Sequence, residues 1–466
     1  MVLKRRLAKP AVQRKSKFSD FSKAPKNARI GNSSVFLLIF FFFMKFSKTI
    51  LPNGLRLVTV PMKDNPTATV LVLVEAGSKY ETKANNGVSH FLEHMCFKGT
   101  KKRPTPLAIS HELDSIGAQY NAFTAQEFTG YFAKGQFGDR AQLLDVVSDI
   151  YLNSTLPAEA MEKERGVIIE EINMYEDIPQ RQVADEFMAL LYPEQPAGYS
   201  IAGTKEHIRA MKREDFLNYR KAHYLSQATV VVVAGNIDEE KVKKEVAEAF
   251  KNSPMGNKSS KPAVVEKQKK PALAIKEKKT DQTHFILGVR SFGIFDKRDI
   301  VLRLLAEVLG GGMSSRLFQK LREEMGVCYY VKADNDAFTD HGIFGVAAGV
   351  TPARLAEVVK AVLAEFQKLK KASVAVAELA KAKAHLIGSM FLSLESSDSL
   401  AEYYGFQEIF KKEIKNPAEI AEKIKAISAT DLKKLANEIF LENQLNLAII
   451  GQNANKNDLE KTLRLA

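Results

Sequence analysis

Two histidines and a glutamate lie within five residues of one another, and their side chains can bind a metal and move a proton. His90, Glu93 and His94 form the pattern H-x-x-E-H. Residues four apart lie on one face of a helix, about 5–6 Å apart at Cβ, so His90 and His94 can share one metal ion. Glu93 lies near that face and can reach a water beside the metal. The order inverts the H-E-x-x-H helix of zinc peptidases.

A zinc site with an open position needs a third protein ligand, and this ligand is often a carboxylate. The segment 164–172 offers several carboxylates beside a helical apolar stripe. Glu164 and Glu171 lie seven residues apart, which places them on one face, two turns apart. Glu171 is the candidate third ligand, with the adjacent Glu170 as a competitor. Glu164 is the candidate for a carboxylate that orients a ligand through a hydrogen bond.

These residues resemble the pitrilysin and insulinase family of metallopeptidases, and within it the bacterial relatives of the mitochondrial processing peptidase. The resemblance runs from about Met44 to the C-terminus and includes the strings at 91–100 and 121–124. In that family a second helix carries the third ligand, with another glutamate seven positions earlier. The 76 residues between His94 and Glu171 match the family spacing. The resemblance therefore implies Glu171 as the third ligand and Zn²⁺ as the metal.

The resemblance also implies a role for two residues of the second half. Arg322 and Tyr329 lie seven residues apart. They match a family segment whose arginine and tyrosine reach an active site housed in a different domain. An arginine can grip a substrate carbonyl, and a phenol can stabilise an oxyanion. Without the resemblance, a solvated helix arginine and a core tyrosine would be the simpler interpretation.

A third implied element is a strand that pairs with substrate. Asn121, Ala122 and Phe123 match a family strand at an open sheet edge, which binds the backbone of an extended peptide. Phe97 and Phe123 are candidates for an apolar pocket beside the metal. Ordinary core packing accounts for the two phenylalanines equally well.

The implied function is that of a zinc-dependent endopeptidase for unfolded peptides or presequence-like segments. Glu93 would take a proton from a metal-activated water and pass it to the leaving amine. The alternative is a non-catalytic core subunit of the same fold, although such subunits usually have a broken metal motif. Family chains of this length pair, so that the Arg/Tyr domain of one subunit completes the metal site of the other. We therefore expect a two-fold homodimer with composite sites, with a heterodimer as the alternative.

The remaining sequence predicts two halves with the same order of elements. In the first, a hairpin at Asn53-Gly54, a buried strand, the motif helix, a helix at 106–116 and two paired strands precede a long helical region. The second half repeats this order without H-x-x-E-H. We predict an α+β fold with two homologous domains, at 44–255 and 282–466, joined by a Lys/Pro-rich linker at 256–281. In the helix at 106–116, the residues predicted to point inward are Leu107, Ile109, Leu113 and Ile116.

The net charge of +13 does not indicate a nucleic-acid-binding surface, because it is concentrated in two segments. Residues 1–31 hold ten basic residues against one acidic residue, and residues 258–281 hold eight lysines against three acidic residues. Such runs are typical of solvated segments. The leader, residues 1–43, includes an apolar run at 35–43 that is too short to span a bilayer. We expect it to be dispensable, with targeting or membrane anchoring as alternatives.

The sequence gives no indication of a catalytic or metal-binding role for the cysteines and the other histidines. Cys96 and Cys328 lie in different halves and are expected to be free thiols in a reducing compartment. This favours the bacterial cytoplasm, with the mitochondrial matrix or tethering through the leader as alternatives. The six remaining histidines lack comparable spacing and are expected at the surface or in the core.

Overall fold

The computed structural model describes residues 45–411, 413–452 and 454–465, so the leader lies outside the described residues. The described strands belong to two sheets, one in each half of the chain. They are β1 (Ser47–Ile50), β2 (Arg56–Pro61), β3 (Thr67–Val74), β4 (Gln119–Thr124), β5 (Thr129–Gln136), β6 (Thr229–Gly235), β7 (Ala272–Glu277), β8 (Thr283–Ser291), β9 (Cys328–Ala337), β10 (Gly342–Val350) and β11 (Asn446–Gly451).

Both sheets are mixed but mostly antiparallel. The strand order is β1-β2-β6-β3-β5-β4 in the first sheet and β7-β11-β8-β10-β9 in the second. Among the described strands, parallel pairing is limited to β2 with β6 and β7 with β11. Strands β4 and β9 each end a sheet, so each has one edge with no paired strand in the described part of the chain. The predicted α+β fold with one sheet in each half is confirmed.

Helices cover the sheets and carry most of the site. They begin and end near the capping and proline signals of the sequence; Thr105, for example, accepts a hydrogen bond from the amide of Ala108. They are α1 (Val88–Cys96), α2 (Pro106–Asp114), α3 (Arg140–Asn153), α4 (Ala158–Asp177), α5 (Pro179–Leu191), α6 (Lys205–Ala210), α7 (Arg213–His223), α8 (Glu239–Ala249), α9 (Asp299–Gly310), α10 (Leu355–Lys371), α11 (Val376–Leu392), α12 (Ser397–Lys411), α13 (Pro417–Ala426), α14 (Ala429–Ile439) and α15 (Lys456–Thr462).

Two predictions about the fold are wrong in detail. The inward position of Leu107 is wrong, because its side chain is 75% exposed while Ile109 and Leu113 are buried. Helical periodicity places Leu107 about 160° around the axis from Ile109. The linker at 256–281 is too long, because residues 272–277 form β7 and pair with β11. The shorter connection is also held to the protein, since Val265 exchanges two hydrogen bonds with the side chain of Gln195.

The two halves exchange a helix. Helix α5 of the first half packs on β8 and β11 of the second sheet, where Phe187 is buried beside Ala448. Helix α12 of the second half packs on β3 and β6 of the first sheet, where Leu400 and Tyr404 are buried with Val232. Each sheet therefore buries one of its apolar faces against a helix from the other half.

A buried polar cluster also joins the halves. Lys79, which is 1% exposed, forms ion pairs with Glu127 at 3.4 Å and with Asp340 in the turn between β9 and β10. His341 Nδ1 lies 2.8 Å from the carboxylate of Asp340, and the hydroxyl of Thr339 donates to Glu127. These contacts pair a deeply buried ammonium with carboxylates from both halves, as such a charge requires.

Two further observations concern chemistry outside the site. Cys96 and Cys328 are free thiols, as predicted. None of the helices in the described residues is both long enough and apolar enough to cross a bilayer.

Candidate metal centre

The motif helix α1 begins at a buried carboxylate. Glu81 accepts hydrogen bonds from the amides of Gly87 and Ser89, each at 2.8 Å, and from the side-chain amide of Asn86 at 2.9 Å. Burial raises the pKa of Glu81 to about 7, although these hydrogen bonds act in the opposite direction. Gly87 has φ +97°, a left-handed conformation that favours glycine. The first free amides of α1 are thus held by a side chain, which fixes the start of the helix.

Three predicted metal ligands converge at one point. His90 and His94 lie one turn apart on α1, and Glu171 approaches them from α4. The Nε2 atoms of His90 and His94 lie 3.7 Å and 3.4 Å from Oε2 of Glu171. Within the described residues, this is the one group of three or more such side chains whose ligand atoms could surround a metal ion. Two imidazole nitrogens and one carboxylate fit a catalytic zinc site.

The three ligands differ in their protonation states. Burial and the neighbouring His94 lower the pKa of His90 to about 4, so that ring is neutral near pH 7. Hydrogen bonding to His94 is the main reason that the pKa of Glu171 is lowered to about 2. Burial alone would lower the pKa of His94, but its hydrogen bonds to Glu164 and Glu171 raise it to about 9. A metal at His94 would therefore displace a proton.

Glu164 orients His94, as its spacing predicts. Oε1 of Glu164 lies 2.8 Å from Nδ1 of His94, which leaves Nε2 directed at Glu171. Oε2 of Glu164 pairs with the ammonium of Lys98 at 2.6 Å. Sequence reasoning missed Lys98, which lies one turn after His94 but whose partner Glu164 lies far away in the sequence. By contrast, Nδ1 of His90 is buried without a hydrogen-bond partner in the described structure.

Glu93 lies beside the ligands and is held by a strand. Its side chain is buried, and Oε2 accepts a hydrogen bond from the hydroxyl of Thr124 on β4 at 2.6 Å. Burial raises the pKa of Glu93 above its usual range, although the Thr124 hydrogen bond acts against this. Sequence reasoning did not select Thr124 as a site residue. The signal was available, because Thr124 follows Ala122 by two positions and shares its face of the strand.

The predicted substrate strand lies at a sheet edge, but one of its residues points the wrong way. Asn121 is exposed on β4, and Ala122 packs toward the core that includes α1, as does Phe97. Phe123 instead packs with Phe128 and Phe406 on the opposite face, so its predicted place in a pocket beside the metal is wrong. Alternation along a strand sends neighbouring residues to opposite faces, and Ala122 and Phe123 cannot both face α1.

Arg322 and Tyr329 contact each other and make no described contact with the metal ligands. The guanidinium of Arg322 donates to the backbone oxygen of Tyr329 and lies 5.4 Å from its ring centroid. The side chain of Tyr329 is 71% exposed at the edge strand β9. Across the described residues, no hydrogen bond, ion pair or ring contact joins either residue to His90, His94 or Glu171.

Comparisons with known proteins agree with the fold and with a zinc-dependent peptidase. The family model "Insulinase (Peptidase family M16)" matches residues 56–205, and "Peptidase M16 inactive domain" matches residues 210–386. An uncharacterized zinc protease of Streptomyces coelicolor is 34% identical over 410 residues, which cover 87% of this chain and 89% of that protein. The fold and the site therefore define a metallopeptidase. The chain belongs to the insulinase family, peptidase family M16.

Solved structures share the fold over nearly their whole length. A protease from Helicobacter pylori has a TM-score of 0.81 and 24% identity, and the match covers 87% of this chain and 99% of that chain. A chain of Complex III2 from Candida albicans has a TM-score of 0.76 and 18% identity, covering 90% of this chain and 99% of that chain. At these identities the likeness establishes the fold alone.

Proposed function

We propose that this chain is a zinc-dependent endopeptidase that hydrolyses unfolded peptides, including presequence-like segments. The observation that carries the proposal is the convergence of His90, His94 and Glu171 beside the buried carboxylate of Glu93. Bound zinc lowers the pKa of a water ligand and polarises a carbonyl oxygen, which is the chemistry that peptide hydrolysis needs. Relatives named zinc proteases support the same metal and reaction.

The chain's own residues supply the proton transfer. Glu93 is the general base that takes the proton of the attacking water and then gives it to the leaving amine. Its hydrogen bond to Thr124 fixes the carboxylate against β4. The position of the base is therefore set relative to the strand that is proposed to bind substrate. Glu164 holds the ring of His94 in the orientation that binds metal through Nε2.

The open edge of β4 supports the choice of substrate. An extended peptide can add to this edge through main-chain hydrogen bonds, with little demand on its side chains. Asn121 lies exposed on that strand, one position before Ala122. A folded protein has few extended segments with free backbone groups, so the proposed substrates are unfolded chains. The proposed location is the cytoplasm, which the two free thiols support.

We further propose a two-fold homodimer in which Arg322 and Tyr329 of one copy complete the metal site of the other. The exposed side chain of Tyr329 and its lack of described contacts with the metal ligands support this arrangement. Closed two-fold dimers are the commonest soluble assemblies. In each composite site the phenol of Tyr329 would donate to the developing oxyanion, with Arg322 beside it.

The metal requirement is tested with an unstructured fluorogenic peptide. A chelator should abolish cleavage and added Zn²⁺ should restore it, because the metal is the Lewis acid of the reaction and the side chains cannot replace it. Glu171→Gln should bind less than one zinc per chain and should stay inactive after zinc is added. Cleavage that persists in protein shown to be metal-free would contradict the proposal.

The composite site is tested by mixing two inactive variants. Glu93→Gln chains and Tyr329→Phe chains should each be nearly inactive alone. Co-refolded heterodimers should recover activity, because one of their two sites combines an intact Glu93 with an intact Tyr329. Absence of recovery in isolated heterodimers would place both groups in one chain's site or remove Tyr329 from the mechanism.

The second candidate is a non-catalytic core subunit. The likeness to a chain of Complex III2 and the match to a model named for an inactive domain favour it. The intact set of ligands with Glu93 favours the enzyme. Purified chain that contains no zinc and cleaves no unfolded peptide would support the core subunit.

A further inference from the structure

The two oxygens of Glu171 have different partners. Oε2 lies 3.7 Å from Nε2 of His90 and 3.4 Å from Nε2 of His94. Oε1 accepts a hydrogen bond from the hydroxyl of Tyr175, one turn further along α4. The carboxylate therefore presents one oxygen to the metal position and keeps the other bonded to its own helix.

The phenol of Tyr175 is itself held in place. The guanidinium of Arg181 lies 3.6 Å from the centroid of the Tyr175 ring, a distance at which the cation and the ring face attract each other. Arg181 belongs to α5, and Pro179 at the start of α5 separates it from α4. The break between the two helices thus places Arg181 over the Tyr175 ring. The ring contacts Arg181 through its face and Glu171 through its hydroxyl.

We propose that Tyr175 is a positioning residue that selects the oxygen of Glu171 that binds zinc. A metal-binding carboxylate that is free to rotate binds more weakly, because it must give up that freedom when the metal binds. A hydrogen bond to one oxygen removes this freedom before the metal arrives. Glu164 does the same for His94 through Nδ1, so two of the three ligands have a partner that orients them. This proposal rests on zinc binding at the site and does not depend on peptide cleavage.

The test measures zinc affinity in Tyr175→Phe by competition with a chromophoric chelator. This change removes only the hydroxyl and leaves the ring under Arg181. We expect the zinc dissociation constant to rise about 10-fold or more, within the 10–100-fold range typical for loss of a partner that orients a ligand. The melting temperature of the metal-free protein should stay unchanged. Tyr175→Leu should show the same loss of affinity and serves as the second variant if the first is poorly folded.

The matched control is Tyr403→Phe. This substitution also removes one phenol hydrogen bond, which Tyr403 donates to the backbone oxygen of Lys415 at 3.0 Å. Tyr403 belongs to the apolar cluster on the other face of the first sheet, away from the metal ligands' core. Its zinc affinity should equal that of the wild type. Zinc affinity of Tyr175→Phe within two-fold of the wild type, or above it, would overturn the proposal.

Cobalt gives a second readout that a purely structural role would not change. The visible absorption of Co²⁺ depends on the number and geometry of its ligands. Substitution of Tyr175 by Phe should alter the spectrum of the cobalt-loaded protein, whereas Tyr403→Phe should not. Identical spectra for Tyr175→Phe and wild type would overturn the proposal. Wild-type chain that binds zinc but cleaves no peptide would contradict the proposed function and leave the role of Tyr175 standing.

Discussion

The two halves use corresponding pairs of helices in different ways. In the first half, α1 and α4 contact each other and bring His90, His94 and Glu171 together. In the second half, α9 and α11 occupy the same places in the order of elements, and they bring Glu307 and His385 together, with 2.6 Å between Oε1 and Nδ1. The histidine and the carboxylate have changed helices, and no third donor joins them among the described residues.

Burial separates the two pairs as clearly as the number of donors does. The side chain of His90 is 11% exposed, whereas that of His385 is 53% exposed. Burial favours the neutral form of a ring and holds the ring in position, which suits a metal ligand, while an exposed ring pairs with its carboxylate in water. The comparison shows that the helix pair supplies proximity and that the sequence on it decides between a metal site and a surface ion pair.

The sharpest test of this comparison removes a carboxylate from each half. Glu93→Gln should reduce peptide cleavage by about 10²–10⁴-fold, because only the proton carrier is lost. Zinc content should stay at one ion per chain. Glu307→Gln should leave cleavage within about two-fold of the wild type, since it changes only an ion pair. Both are measured by steady-state kinetics with metal analysis; near-normal turnover in Glu93→Gln would remove Glu93 from the mechanism.

The exchanged helices pack on their sheets differently. On the second sheet, Phe187 of α5 lies over Gly288 and Gly345, where a Cβ atom at Gly288 would come within 3.0 Å of its ring. On the first sheet the glycine is in the helix: a Cβ atom at Gly405 of α12 would lie 2.8 Å from Leu73. One contact inserts a large ring into a gap in the sheet, and the other brings a helix backbone close to the sheet's side chains.

This difference predicts unequal costs for substitution. Phe187→Ala should lower the free energy of unfolding by about 3–5 kcal/mol, because it leaves a cavity over two glycines. Gly405→Val should lower it by about 1–3 kcal/mol, because the added atoms push α12 off the sheet. Urea unfolding measures both. A larger effect at Gly405 than at Phe187 would reverse the comparison of the two contacts.

The smallest effect is expected at the polar cluster between the halves. Burial alone would raise the pKa of Asp340, but His341 and Lys79 hold it well below the usual range. Because the folded pKa is the lower one, this stabilisation is complete above about pH 4 and is lost as the pH falls further. Asp340→Asn should reduce stability at pH 7 by on the order of 1 kcal/mol.

The control for this prediction is the pH dependence itself. The wild type and Asp340→Asn should differ less at pH 3 than at pH 7. At pH 3 the carboxyl of Asp340 in the unfolded wild-type chain is largely protonated, so unfolding gains a proton and part of the stabilisation is lost. Urea midpoints at the two pH values provide the measurement. An equal difference at both values would show that the charge of Asp340 contributes nothing to joining the halves.

The parts of the site that were predictable depend on local periodicity. His90 and His94 share a face because they are about one helical turn apart, and Glu164 and Glu171 share one because they are about two turns apart. The resemblance supplied the pairing between these two helices. Strand alternation with Ala122 could have indicated the face on which Thr124 lies, but not its contact with Glu93. Lys98 was missed because its partner Glu164 lies far away in the sequence, and a pattern within one helix does not show which distant side chain it meets.

For the fold, too, local features were predictable from the sequence and contacts between distant segments were not. The order of strands and helices followed from apolar periodicity, turn residues and caps. The exchange of α5 and α12 could not be predicted in this way, because an amphipathic pattern shows which face of a helix is buried but not which sheet buries it. The strand β7 was missed inside a lysine-rich stretch, where charge obscures a short run of alternating residues.

The exchange of α5 and α12 has a consequence during synthesis. The first sheet is complete once β6 has left the ribosome, but α12, which covers one of its faces, begins about 160 residues later. At roughly 5–20 residues per second, the nascent chain carries this apolar face uncovered for roughly 10–30 s. The first half therefore exposes, until the last quarter of the chain is made, an apolar surface of the kind that chaperones bind.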